Sequence, residues 1–207
     1  MKTRLVPAEQ PDSVAIALSV LKNNGVVAFP TDTVYGVAAS AFNAQAIELL
    51  FTAKGRDFNK SIAVLIGDIA QLPQLTDSFT PSARKLAERF WPGALTLVVP
   101  RHPSLPNILS PTPTIGVRMP DHAFARAILN AAGPLATTSA NLSGGPNPKT
   151  AQDVLQQLDG RIDLVLDGGS CPGGVPSTVV DCTLVEPQVL RQGAITAQQL
   201  LNALKES

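Results

Sequence analysis

Four stretches of this sequence gather side chains able to hold or activate a small polar substrate. The first is Pro30-Thr31-Asp32-Thr33-Val34-Tyr35-Gly36, which sets hydroxyls, a carboxylate and a phenol directly after the apolar run GVVAFP. Strand C-termini in α/β sheets are where ligands collect, although Thr and Asp also build turns by bonding their own backbone. The second is Lys54-Gly55-Arg56, followed by Lys60. In an extended segment residues two apart project to one side, so Lys54 and Arg56 would converge on one anion. At a helix C-terminus the same cations would answer the macrodipole with no ligand at all.

The third stretch runs Thr137-Thr138-Ser139-Ala140-Asn141-Leu142-Ser143-Gly144-Gly145. Hydroxyls and an amide beside glycines let backbone N–H groups approach a phosphate closely. It is neither a Walker loop, since no GK[ST] follows, nor a GxGxxG fingerprint. The competing reading is a polar loop that leads to a helix capped by Thr150. The fourth group is Arg118 within an apolar strand pattern, Ser177-Thr178 at a strand start, and Arg191 in VLRQG. A half-buried arginine needs a partner, because an unpaired buried charge costs several kcal/mol, and a salt bridge would serve as well as a ligand.

The elements that must position these groups follow from hydrophobic periodicity. Helices are expected near 12–22, 43–53, 81–90, 121–132, 151–158 and 196–204, with Pro81 tolerated in a first turn and Gly55 suited to a helix exit. Strand-like runs lie at 25–30, 61–67, 94–99, 114–120, 134–140, 162–167, 178–181 and 187–193. Strands interleaved with helices predict an α/β layered domain. The connections 94–99 to 114–118 and 162–167 to 178–181 contain no helix for a βαβ unit, so part of the sheet should be antiparallel. The expected fold class is therefore α/β, a twisted mixed parallel/antiparallel sheet with flanking helices, in one domain over 1–207.

Composition narrows the function. With 207 residues, 44% hydrophobic, a real core can form. Lys plus Arg and Asp plus Glu are 16 each, so no global field draws in nucleic acid or an anionic membrane. Aromatic content of 4% leaves little material for stacking on bases. No apolar run approaches the roughly 18 residues of a membrane span, and MKTRLVPAEQPDS lacks the apolar stretch of a signal peptide. A cytoplasmic protein with no membrane partner is the expectation. Cys171 and Cys182 have no metal-knuckle or redox spacing, and His102 and His122 lack metal-like partners, so ordinary thiols and surface or capping histidines are expected.

PTDTVYG, the KxR motif at Lys54 and Arg56, VRMP at Arg118, SAN at Ser139 to Asn141, PSTVVD, and LRxG at Arg191 come in one order and spacing. In this the chain resembles the YrdC-like family, in its short single-domain TsaC-type form, along nearly its whole length. The resemblance implies a concave, locally positive cavity. It also implies an L-threonylcarbamoyladenylate synthase, a nucleotidyltransferase in which a carbamate of threonine and bicarbonate attacks the α-phosphate of ATP. It implies catalytic roles for Lys54, Arg56, Ser139 and Asn141. ATP would be held by Arg56, Lys60, Ser139, Asn141, Ser177 and Arg191, and threonine by Thr33, Arg118, Thr138 and Ser177.

The resemblance further implies that the product serves threonylcarbamoyladenosine modification of tRNA, with tRNA and tRNA-modification proteins as further partners. One departure is visible. Many relatives carry Lys-Pro-Leu and then a histidine after KxR, where this chain has Lys60-Ser61-Ile62 and Val64-Leu65. Nucleotidyl transfer needs cations and N–H donors around the phosphates rather than a protein nucleophile, and the motifs contain that set. Mg²⁺ would ride on the triphosphate, held by phosphate oxygens and water rather than by protein ligands. Two other readings are a carbamoyl-adenylating module, which normally accompanies other domains, and a non-catalytic RNA-binding protein with a positive concave surface.

Overall fold

A computed structural model describes residues 2–172 and 174–205. Ten strands form one mixed sheet: β1 Arg4–Pro7, β2 Val27–Phe29, β3 Gly36–Ser40, β4 Ala63–Leu65, β5 Leu95–Pro100, β6 Thr114–Arg118, β7 Leu135–Ser139, β8 Leu164–Asp167, β9 Thr178–Asp181 and β10 Gln188–Arg191. Their order across the sheet is β1-β8-β2-β3-β7-β4-β6-β5-β9-β10. The helices are α1 Ser13–Lys22, α2 Ala44–Lys54, α3 Pro81–Phe90, α4 Ala123–Ala132, α5 Ala151–Leu158 and α6 Ala197–Lys205. All six expected helices and all eight expected strands are present.

Two strands had no sequence signal. β1 buries only one of its four residues at the sheet edge, and β3 is GVAAS, small residues of low strand propensity. β3 is a strand because it is wedged antiparallel between β2 and β7. The expected antiparallel step from β5 to β6 is found. The step from β8 to β9 is different: β8 lies between β1 and β2, parallel to both, whereas β9 pairs with β5 and β10 at the far end. The chain from 168 to 177 therefore crosses most of the sheet.

Period-two alternation splits the core between two faces. Ala28, Val37, Val64, Leu97, Val117 and Ala136 join one cluster with residues of α2, α3, α5 and α6. Val27, Phe29, Ala38, Leu65 and Leu135 join a second with α1 and α4. Helix ends are well specified: Asn43 caps α2, Thr80 caps α3 and His122 caps α4. Thr150 and Asp153 form a capping box on α5. No helix among the described residues is long and apolar enough to cross a membrane.

Because α1 and α4 cover only half of their face, the other half of the sheet is left open. The register carries that face across the sheet through Ala63 opposite Thr137, Leu65 opposite Arg118, Gly116 opposite Val98, and Val98 opposite Asp181. That uncovered surface is the floor of the molecule's central cavity.

Candidate active site

The cavity has a volume of about 580 Å³. Its floor is kept low by small residues: a Cβ on Gly116 would come within 2.9 Å of Thr96 Cγ2, and one on Gly36 within 2.9 Å of Thr137 Cγ2. The turn between β2 and β3, the ends of β6 and β7 and the residue just before β9 deliver polar groups to its wall. Of the residues expected at the site, Thr33, Arg56, Arg118, Thr138, Ser139, Ser177 and Arg191 all line this one cavity.

Arg118 ends β6 and is nearly closed to solvent. Its Nε donates to Gly93 O at 2.9 Å, Nη1 to Thr33 Oγ1 at 3.0 Å and Nη2 to Asp32 Oδ1 at 2.5 Å. Thr31 Oγ1 accepts from Thr33 N at 3.2 Å and Val34 N at 3.3 Å, which fixes the turn that presents Asp32 and Thr33. The turn of the first motif thus supplies the counter-charge that a half-buried arginine requires. Two of its five N–H groups remain for a ligand.

Arg191 leaves the exposed edge strand β10 and folds over Ser177, donating from Nη2 to Ser177 O at 2.8 Å and Oγ at 3.3 Å. Ser177 Oγ lies 2.8 Å from Thr96 Oγ1. Arg56 Nη2 donates to Ser61 O at 2.8 Å. Burial lowers the pKa of Arg56 and Arg191 below the ordinary arginine value, and the charge of Arg191 adds to the effect on Arg56. Burial acts likewise on Arg118, against the opposing pull of Asp32. Among the described residues neither Arg56 nor Arg191 has a carboxylate within ion-pair distance. Both rest on carbonyl oxygens and turn net positive charge toward the cavity.

Three expected residues sit elsewhere. Lys54 and Arg56 do not converge, because Lys54 is the last residue of α2 and Gly55 adopts the left-handed conformation with φ 57°. That turn sends Arg56 to the cavity and Lys54 into the core. There Nζ donates to Ser139 O and, at 2.6 Å, to Asn141 O. Lys60 is exposed and outside the cavity lining. Asn141 is buried behind the wall, and its Nδ2 donates to Leu142 O at 2.9 Å and Gly145 O at 2.8 Å. Tyr35, from the same motif as Thr33, is fully buried; its hydroxyl donates to Gly169 O at 2.7 Å and accepts from Gly168 N, tethering the crossing segment.

Other lining residues were not singled out from the sequence. Thr96, Val98, Thr114, Gly116 and Asp181 belong to the open face. The signal was available in TIGVR, where small or polar residues recur at every second position, and in the single Thr96 of LTLVV. Leu65 packs an apolar side chain into the lining next to Arg118. Cys171 and Cys182 are free, buried thiols. Among the described residues no group of three or more His, Cys, Asp or Glu side chains is placed to hold a metal ion.

A family model for the Sua5, YciO and YrdC proteins, described as "Telomere recombination", matches residues 19–193. A threonylcarbamoyl-AMP synthase of Bacillus subtilis is 45% identical over 190 residues, which are 90% of this chain and 55% of that protein. A putative threonylcarbamoyl-AMP synthase of Mycobacterium tuberculosis is 38% identical over 199 residues, 96% of this chain and 92% of the relative. The chain thus spans little more than half the length of the first relative and nearly all of the second. The crystal structure of Pyrococcus abyssi Sua5 complexed with L-threonine superposes with a TM-score of 0.94 at 35% identity, over 99% of this chain and 62% of that one.

Proposed function

Since the chain belongs to the Sua5, YciO and YrdC family, we propose that it is an L-threonylcarbamoyladenylate synthase. In this reading the threonine amine and bicarbonate give a carbamate and water, the carbamate oxygen attacks the α-phosphate of ATP, and pyrophosphate leaves. The observation that carries it is the pair Arg56 and Arg191, two guanidinium groups without carboxylate partners on one cavity. Arginines in a partly desolvated site bind phosphate oxygens best and stabilise the charge that develops on them during transfer.

Each group has a task that follows from its position. The threonine carboxylate takes the two free N–H groups of Arg118, beside the hydroxyls of Thr33 and Thr138. Ser177, held by Thr96 and Arg191, stands between the amino acid and the nucleotide. Arg56, Arg191 and Ser139 meet the phosphates. Lys54 is a positioning residue: it grips the carbonyls of Ser139 and Asn141 from behind and sets the loop that carries Ser139. Mg²⁺ travels with the triphosphate, coordinated by phosphate oxygens and water, and no protein ligand is assigned to it. The product is an activated donor for tRNA modification, used in the cytoplasm by partner proteins that act on tRNA.

The test is pyrophosphate release from ATP and bicarbonate with each common amino acid added in turn. Release should require both bicarbonate and threonine. Equal turnover with serine, or turnover without bicarbonate, would overturn the assignment.

A further inference from the structure

Among the described residues one carboxylate, Asp181, lines the cavity, whose other charged lining residues are Arg56, Arg118 and Arg191. Asp181 is the last residue of β9, and Ser177 immediately precedes that strand. Four residues of extended chain separate them by about 13 Å, comparable to the reach from an α-phosphate to the far edge of a purine. Arg191 turns its guanidinium toward Ser177, away from the Asp181 end. A negatively charged wall at that end repels phosphate and suits a ligand edge that donates hydrogen bonds.

On the cavity side Asp181 has apolar neighbours, while Gln188 stands opposite it on the β9–β10 ladder. Val98 is its direct neighbour across the β5–β9 ladder, Val179 lies two residues earlier on the same face, and Leu190 reaches in from β10. The flat Gly116 continues the floor beside Val98. Apolar flanks with one acceptor at the rim are what a planar base requires. The carboxylate is also fixed in orientation. Its Oδ1 accepts from Thr183 N at 2.9 Å and Thr183 Oγ1 at 2.7 Å, leaving Oδ2 to face a ligand.

We propose that Asp181 selects the nucleobase: Oδ2 accepts a hydrogen bond from the exocyclic amine of adenine, so the cavity discriminates against purines that carry a carbonyl at that position. This rests on the nucleotide reading given above. A 6-oxo purine would set its carbonyl oxygen against Oδ2, an unpaired acceptor-to-acceptor contact.

The anchoring by Thr183 makes the test directional. In Asp181→Asn the two Thr183 donors hold the amide oxygen at the Oδ1 position, so the NH₂ group occupies the place of Oδ2 and offers a donor. Threonine-dependent pyrophosphate release is measured with ATP, inosine triphosphate and 2′-deoxy-ATP for the wild type, Asp181→Asn and Thr183→Val. The wild type should prefer ATP over inosine triphosphate. In Asp181→Asn that preference in kcat/KM should fall by at least about tenfold, the scale of one charge-assisted hydrogen bond. Thr183→Val, which loosens the carboxylate without removing it, should move the preference part of the way.

An Asp181→Asn protein that turns over with its ATP preference unchanged overturns the inference and leaves the synthase reading standing. A loss that is equal for ATP and inosine triphosphate but absent for 2′-deoxy-ATP overturns it as well, by assigning Asp181 to the ribose. A wild type that releases no pyrophosphate with any nucleotide overturns both. Should Asp181→Asn fail to fold, an unchanged preference in Thr183→Val is sufficient to overturn it.

Discussion

The carboxylate of Asp32 holds the guanidinium of Arg118 through an Nη2–Oδ1 ion pair, with the two side chains only 14% and 8% exposed. Arg118 lines the cavity and this pair fixes it there, so the arginine is oriented before any ligand arrives. An arginine pinned at three of its five N–H groups loses little further freedom on binding a carboxylate with the other two.

Removing Asp32 strands a nearly buried cation. Asp32→Asn should lower unfolding free energy by about 3 kcal/mol, within the range for breaking one side of a buried pair, as read by urea denaturation. Saturating threonine should recover part of the loss by supplying a second carboxylate to Arg118. A stability within about 0.5 kcal/mol of wild type, the usual span for surface substitutions, would show that solvent compensates for the missing charge.

Arg118→Lys keeps the charge and removes the planar fork. The ammonium cannot reach Asp32, Thr33 and Gly93 together and still present two parallel donors. Threonine affinity should fall at least tenfold, about 1.4 kcal/mol, while ATP affinity stays within a factor of about three on the same scale. Calorimetry with each ligand separately decides it. A parallel loss of both ligands would mean that Arg118 braces the whole cavity.

How much of this was legible in the sequence depended on what each residue's placement rests on. Thr33, Thr138, Ser177 and Arg191 could be picked out because polar clusters at the ends of apolar runs mark strand ends, and the strands do converge there. The fate of Lys54 was hidden, since it turns on the left-handed conformation of Gly55, which redirects the chain within one residue. The Asp32–Arg118 pair joins positions 86 residues apart, and no local pattern encodes it. The open face of Thr96, Gly116 and Asp181 becomes a cavity only through the absence of a third helix beside α1 and α4. That is a property of topology, not of any one segment.

Arg56 contrasts with Arg118 because it ties only the turn next to it rather than distant elements. Its hydrogen bonds go to the carbonyls of Lys60 and Ser61 in an exposed turn. Arg56→Ala should weaken ATP binding by roughly 2–4 kcal/mol, as for truncating one partner of a desolvated charge pair, and leave the melting temperature nearly unchanged. A large loss of stability with ATP affinity intact would assign Arg56 to the fold instead.

Lys54 makes stability depend on pH in a particular window. Burial, helped by the nearby charge of Arg56, lowers its pKa from 10.5 to about 7. In the unfolded chain the amine keeps its proton to about 10.5, whereas in the folded protein it gives it up near 7. Between these values the unfolded state binds more protons, so raising the pH favours folding. The neutral amine still has two N–H groups for the carbonyls of Ser139 and Asn141. Cys171 and Cys182 act in the opposite sense, since burial raises both from 9.0 and the unfolded thiols ionise first. His122 is lowered from 6.5 by burial, against the opposing charges of Asp32 and Asp121, and titrates below the window. Unfolding free energy should therefore rise by on the order of 1–2 kcal/mol between pH 7 and about 8.5. Lys54→Met should lose this rise whatever its absolute stability. Urea denaturation of both proteins across that range tests it, and an identical pH slope in the two would show that Lys54 stays protonated in the folded state.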